Sequence, residues 1–497
     1  MKYHNYLSGF LSVLIILLFL SFESCIDLSR NFSDLPQDLR TFVTDNTDDL
    51  YTTEPIFLKR NGQQYAIDLD TVKNEDILSQ IIAKENLLYT CQSITEREFS
   101  TDPYIFQNLS RALQIKADNP WKITIPDSIS MNYLLPYKVL FEKTGGWQEI
   151  FQRNFADVLS FIPSRKLSKK QIDSLIETHV IRLDTGHIFT GREGKYRICE
   201  WPGILEILME KSGDCQSESI KNVYLYRSLG IPAAMDFTPF YGGGNAGHST
   251  AVSWDSDLQK FRPKAGQGFN KDYRVAKVFR WTFKKSNNWE RNIVPLLNSS
   301  IPFPIQELQN NHWIDATKDH TTAKDLTLNM PEAHGKIAFI CTYSYGEWRP
   351  IFYGVRTSKS VFLFKDMALD VLYRGGYYDK EDRFVFEKSV FILGKDGKPK
   401  IINKTGLDVE LSAAKIKLER NNYGSEAWIK KNRSYSLLAL NTHGEWDTIY
   451  SKWSTRDSLI TFPEFKSKYQ IFALMEHEAN RRLERPFYIL KDSIVWY

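Results

Sequence analysis

Cys215 and His248 are the side chains whose types and surroundings best suit chemistry. Cys215 follows Ser212-Gly213-Asp214 and opens a helical pattern carried by Ile220, Val223 and Leu229, which places the cysteine in the first turn. The reason is electrostatic. Unpaired N–H groups and the positive end of the helix dipole favour a thiolate, the nucleophilic form of cysteine. The same N–H groups can stabilise an oxyanion that develops beside the sulfur. A thiol nucleophile needs a base, and Gly247-His248-Ser249 opens a strand after the glycine turn Gly242-Gly243-Gly244. A strand-borne imidazole facing a helix-borne sulfur would take the thiol proton and return it to a leaving amine.

The elements that must position this pair are punctuated clearly. The helix from Cys215 stops at Gly230 with Pro232 just beyond, and strand patterns follow at Ala233–Phe240, Ser249–Trp254, Gln259–Arg262 and Ala276–Phe283. A helix followed by antiparallel strands predicts an α+β layer. Upstream, residues 104–190 read as mostly helical, with apolar spacing at Tyr133–Phe141, Trp147–Phe161 and Ser168–Val180. Downstream of Trp313 nearly everything reads as short strands separated by turn signals, the pattern of a β-sandwich or two small ones.

At Gly213-Asp214-Cys215, Arg227-Ser-Leu-Gly-Ile-Pro-Ala233 and Gly247-His248 the chain resembles the transglutaminase-like superfamily, over about residues 195–290. That family includes transglutaminases, microbial thiol proteases and peptide N-glycanase-type amidases. The resemblance implies a papain-like α+β fold with a Cys–His–Asp triad, and a thiol hydrolase or acyltransferase that needs no cofactor. The third member stays open. The strand after His248 carries Lys260-Phe-Arg-Pro-Lys-Ala-Gly-Gln-Gly268, without a carboxylate. Gln267 is the amide candidate, and Asp255 and Asp315 are the carboxylate alternatives. The stretch Trp313-Ile-Asp-Ala-Thr317 leading into β-structure is similar to the β-sandwich that follows such domains in secreted bacterial lipoproteins.

The start of the chain reads as an address. A weak basic start at Lys2 and His4 precedes the apolar run Leu7–Phe22, and Ser21-Phe22-Glu23-Ser24-Cys25 resembles a lipobox, with Phe22 and Glu23 in place of the usual Leu and small residue. Cys25 is then the lipidated first residue of a protein held at the cell envelope of a Gram-negative bacterium, its membrane contact made through that lipid. The expected organisation is a signal peptide (1–24), a lipidated tether (25–50), an N-terminal mixed and helical region (51–190), a transglutaminase-like core (191–300) and a β-sandwich region (310–497).

Composition narrows the partners. A net charge of +4 over 497 residues, with no basic block, argues against nucleic acid, and the resemblance implies a peptide or glycopeptide substrate. Cys91, Cys199, Cys215 and Cys341 are too scattered for a disulfide framework and contain no CxxC zinc pair. His312, Asp315, Asp319 and His320 match no ligand spacing and read as a solvated loop, so no metal is expected. Trp281, Trp289 and Trp313 read as core or interface packing, and His187 and Trp201 as outlying candidates for the cleft. The rival reading is a catalytically inactive transglutaminase-like lipoprotein that binds glycan or protein. A structural role in an envelope complex stands behind it.

Overall fold

A computed structural model describes residues 32–67, 75–95, 102–160, 162, 166–183, 188–189, 199–210, 212–264, 268–270, 273–297, 302–403, 409–411, 415–417, 429–455, 459–461, 465–467, 469–477, 485–490 and 493–497. Cys25 and its apolar leader, His187 and Gln267 lie outside the described residues.

Helices and several antiparallel sheets make a mixed α+β chain. Near the N-terminus, β1 (Tyr51–Leu58) pairs with β2 (Gln64–Tyr65) and β3 (Leu88–Thr95), and the intervening helix α1 (Glu75–Glu85) buries Leu78 against Phe57. A disulfide joins Cys91 on β3 to Cys199, with 5.2 Å between their Cα atoms. Scattered spacing concealed this pair: the cysteines are 108 residues apart and meet only through the tertiary fold.

Helices α2 (Pro103–Asp118), α3 (Asp127–Tyr133), α4 (Trp147–Ser160) and α5 (Lys169–Leu183) build the next layer. The apolar spacing at Tyr133–Phe141 does not make a helix; helical structure ends at Tyr133. Pro136 has no N–H to give a helix, and its carbonyl instead accepts from Arg227 at 3.1 Å. A short parallel pair, β4 (Ile188–Phe189) with β5 (Ser212–Gly213), flanks α6 (Ile204–Glu210).

The central helix α7 (Cys215–Ser228) starts where the spacing put it. Asp214 is its N-cap and accepts from the Ser217 amide at 3.0 Å. Gly230 (φ 84°) ends it in the left-handed region that glycine enters without strain. Ile220, Val223, Tyr224 and Leu229 are all fully buried, because α7 lies between the helical layer and a sheet. On the helical side Tyr224 meets Trp147 with 4.4 Å between ring centroids. Arg227 is buried too, its charge taken up by the carbonyls of Pro136, Lys138 and Ala233.

The sheet under α7 runs in the order β10-β9-β6-β7-β8, from β6 (Ala233–Thr238), β7 (His248–Asp255), β8 (Lys260–Pro263), β9 (Phe279–Trp281) and β10 (Trp313–Asp315). Trp313–Asp315 thus forms the edge of the layer that carries Cys215, by pairing with β9. Beyond it, a seven-stranded antiparallel sheet spans β11 (Ala323–Asn329), β12 (Ile337–Ser344), β13 (Glu347–Ser358), β14 (Val361–Ala368), β15 (Leu372–Tyr378), β16 (Phe384–Leu393) and β17 (Pro399–Ile401). All eight residues of β12 are buried, since this sheet is covered on both sides. Phe352 and Phe364 join the main core with Phe279, while Cys341, Tyr343 and Leu372 pack with Leu440 of a five-stranded C-terminal sheet (residues 434–496) and with Ile471 and Tyr497 beside its strands. No helix among the described residues is long and apolar enough to cross a membrane.

Candidate active site

The Cys215 thiol is half-buried at the first turn of α7. Its sulfur lies near the backbone amides of Ser249, on the open edge of β7, and of Cys215 and Gln216 at the helix start. Burial raises the thiol's pKa above its ordinary value. The Ser249 amide works against that, the Asp214 charge adds to it, and the two helix-start amides oppose it again. At rest the group is therefore a thiol, not a thiolate.

His248 is the first residue of β7 and pairs across to Thr238. The chain can enter the strand here because residue 247 is glycine: a Cβ there would sit 2.4 Å from the Pro239 carbonyl oxygen. The imidazole lies beside Tyr241, 6.0 Å between centroids and nearly parallel, and edge-on to Phe269 at 5.8 Å. Burial pushes its pKa down to about 4, so the ring is neutral at pH 7.

The Ser249 amide thus lies near the sulfur, but no hydrogen bond joins the His248 ring to it among the described residues. The pleat explains why. Alternation gives Ser249, Ala251 and Ser253 to the face that α7 covers, where Tyr226 reaches the Ser253 side chain. His248 and Thr250 belong to the other face.

The candidates for a third member go elsewhere. Asp255 sits at the far end of β7, seven residues or roughly 23 Å along the strand. There it accepts from the Asp257 and Leu258 amides, each at 3.1 Å, and pairs with Arg262. Asp315 pairs with the buried Lys277 and accepts from Thr317 Oγ1 at 2.7 Å. Gln267 is outside the described residues.

The imidazole face of the sheet carries a charged cluster instead. Asp236 on β6 is fully buried and receives two bonds from Arg280 on β9, at 2.7 and 2.8 Å. His320 Nε2 lies 2.6 Å from Oδ2, the oxygen that also accepts from Arg280 Nη2, and Arg280 also reaches Asp319 at 2.9 Å. The Arg280 guanidinium holds the Asp236 carboxyl below its usual range against the opposing effect of burial. The expectation of a solvated loop at residues 312–320 is therefore corrected. His320 is bound to Asp236, and His312 is fully buried between Asp49 and the carbonyls of Thr282 and Phe283. The available signal was Asp236 itself, a carboxylate in the apolar strand Ala-Ala-Met-Asp-Phe-Thr. Among the described residues no group of three or more His, Cys, Asp or Glu side chains could hold a metal ion.

No family model matches this chain. No curated protein matches it either. Among solved structures it aligns with red sea bream transglutaminase at 8% identity, over 92% of this chain and 79% of that one, with a TM-score of 0.21. This is a weak likeness.

The tryptophans behave as packing residues. Trp201, Trp281 and Trp313 are buried, and Trp201 meets Phe141 and Trp281 edge-on. Trp289 packs against Phe303.

Proposed function

We propose that this chain is a lipid-anchored cell-envelope protein whose transglutaminase-like, papain-type domain hydrolyses a peptide or glycopeptide amide with Cys215 as nucleophile. The observation that carries the reading is the seat of the Cys215 sulfur. It lies against the helix-start amides and the amide of the residue that follows His248. β8 leaves the edge of β7 open before Val252, and the reading requires the imidazole to reach the sulfur across that edge.

His248, neutral and without a hydrogen-bonded partner at its ring among the described residues, is in the protonation state of a general base. The Sγ–H proton passes to the imidazole as Sγ bonds to the carbonyl carbon, and the oxyanion is met by the N–H groups around the sulfur. The C–N bond then breaks, and the imidazolium gives its proton to the departing amine. Water attacks the thioester with the same imidazole as base and releases acid and free thiol. The disulfide Cys91–Cys199 supports an oxidising, extracytoplasmic setting, as does the leader ending at Cys25.

A second reading has its own support. The burial that raises the Cys215 thiol, and the placement of His248 on the opposite face, suit a retained scaffold that binds glycan or protein without catalysis. Labelling by a peptidyl chloromethyl ketone separates them. The hydrolase reading expects alkylation at Cys215 to fall at least tenfold in His248→Ala, with Cys215→Ala unlabelled. Equal rates in wild type and His248→Ala sink it and leave the scaffold.

A further inference from the structure

Arg485 lies 243 residues beyond the glycine turn that precedes His248, yet its guanidinium is buried against that turn. Nη1 donates to the Gly244 carbonyl at 2.7 Å and to that of Tyr343, at the end of β12. Nη2 donates to Gly242 at 2.7 Å and to Tyr497 at 2.9 Å, and Nε to Tyr497 at 3.2 Å. No Asp or Glu pairs with this arginine among the described residues; its donors meet the main-chain oxygens of Gly242, Gly244, Tyr343 and Tyr497. Burial, with the nearby Arg274 charge adding to it, lowers its pKa to about 9. Such a group is costly to bury and is retained only where every donor finds an acceptor.

Other contacts hold the same turn. Gly242 donates to the Arg274 carbonyl at 2.7 Å, while the Arg274 side chain reaches Asp370 and Trp496 carbonyls at 2.7 and 3.1 Å. Ser344 Oγ accepts from the Ala246 amide at 3.1 Å, and Asn245 accepts from the Tyr345 amide at 3.0 Å. The turn itself closes by a bond from the Tyr241 amide to the Ala246 carbonyl, and Tyr241 carries the ring that flanks His248. Fixing the carbonyls of Gly242 and Gly244 therefore fixes the aromatic wall of the imidazole and its point of entry into β7.

We infer that Arg485 is a positioning residue for His248: the C-terminal sheet clamps the glycine turn and so sets where the imidazole stands. This rests on the reading of His248 as a site residue. In physical terms the thiol layer is incomplete without the C-terminal sheet. Release of the clamp lets the turn move off the ring and admits water.

The test uses the full chain with ¹³Cε1-labelled histidine, His248 being assigned by loss of its signal in His248→Gln. In wild type His248, enclosed by Tyr241 and Phe269, should titrate well below a free imidazole. Arg485→Lys keeps a cation but cannot span both glycine carbonyls and Tyr497, so His248 should gain proton affinity at least tenfold. Ser344→Ala, a milder cut on the loop side, should give a smaller gain in the same direction. Leu474→Ala weakens the C-terminal core without touching the turn and should leave the titration in place. The inference is overturned if folded Arg485→Lys and Ser344→Ala both keep the wild-type titration, or if Leu474→Ala shifts it as far as Arg485→Lys does. Chloromethyl ketone labelling reads the hydrolase proposal separately: His248-independent labelling defeats that proposal and leaves a clamp-dependent titration standing.

Discussion

Two histidines on one face of the same sheet are held in opposite ways. His320 is bound to a fully buried carboxylate that also carries a bidentate arginine. His248 is enclosed by Tyr241 and Phe269 and has no such partner among the described residues. Phe269 touches both rings, edge-on at 4.9 Å to His320 and 5.8 Å to His248. The difference separates structure from chemistry. An imidazole already bonded to a buried carboxylate has its position committed. One that burial alone holds neutral keeps the capacity to take a proton, and its surroundings have to be maintained by other parts of the chain. The Asp236 cluster ties β6, β9 and the short helix after β10 together; the His248 environment depends on a glycine turn and on what clamps it.

The largest effect should come from breaking the committed side. Asp236→Asn leaves Arg280 buried with only Asp319 to face, and the loss of one partner from such a pair costs about 3–5 kcal/mol. Denaturant unfolding of the variant beside wild type reads it; a change below about 1 kcal/mol would mean the cluster is no anchor. Next in size is the pH dependence of the uncommitted side. The folded His248 pKa of about 4 lies below its ordinary 6.5, so the unfolded chain binds the proton more tightly. Its contribution, roughly 3 kcal/mol, is present in full above pH 6.5 and is lost as pH falls toward 4. The His248→Asn variant should lack that part of the slope. Superimposable wild-type and variant stability curves between pH 7 and 4 would show that His248 is not buried as a neutral ring.

Local signals in the sequence reached the parts of this site that neighbours in the chain determine. The cysteine at a helix start, the stop at Gly230 and the strands of the central sheet all follow from spacing and turn chemistry, with ends displaced by one to three residues. What escaped depends on partners far away in the chain. Asp236 is 44 residues from Arg280 and 84 from His320, and no periodicity encodes that meeting. Cys91 and Cys199, or Arg485 and Gly242, are farther apart still. At Tyr133–Phe141 a helical pattern was outweighed by Pro136 and by the demand of a buried arginine for free carbonyls. The third-member candidates beside His248 are subject to the same limit. Asp255 was already engaged by its own turn, and Asp315 by a lysine whose burial the sequence does not announce.

The smallest expected effect gives the sharpest contrast, because Phe269→Ala removes one wall from both histidines at once. Phe269 is only partly buried, so its truncation should cost about 1–2 kcal/mol, below the range for a fully buried phenylalanine. For His248 that wall is a large part of what excludes water. Its proton affinity should rise at least tenfold from the depressed value, read from the labelled ring. For His320 the controlling contact is the 2.6 Å bond to Asp236, which the truncation leaves intact, so its Nε2 proton should still exchange slowly. If the His320 proton becomes freely exchanging while His248 keeps its titration, the assignment of roles is reversed. Asp236 would then be held by the aromatic lid, and the seclusion of His248 would come from Tyr241 and the clamped turn alone.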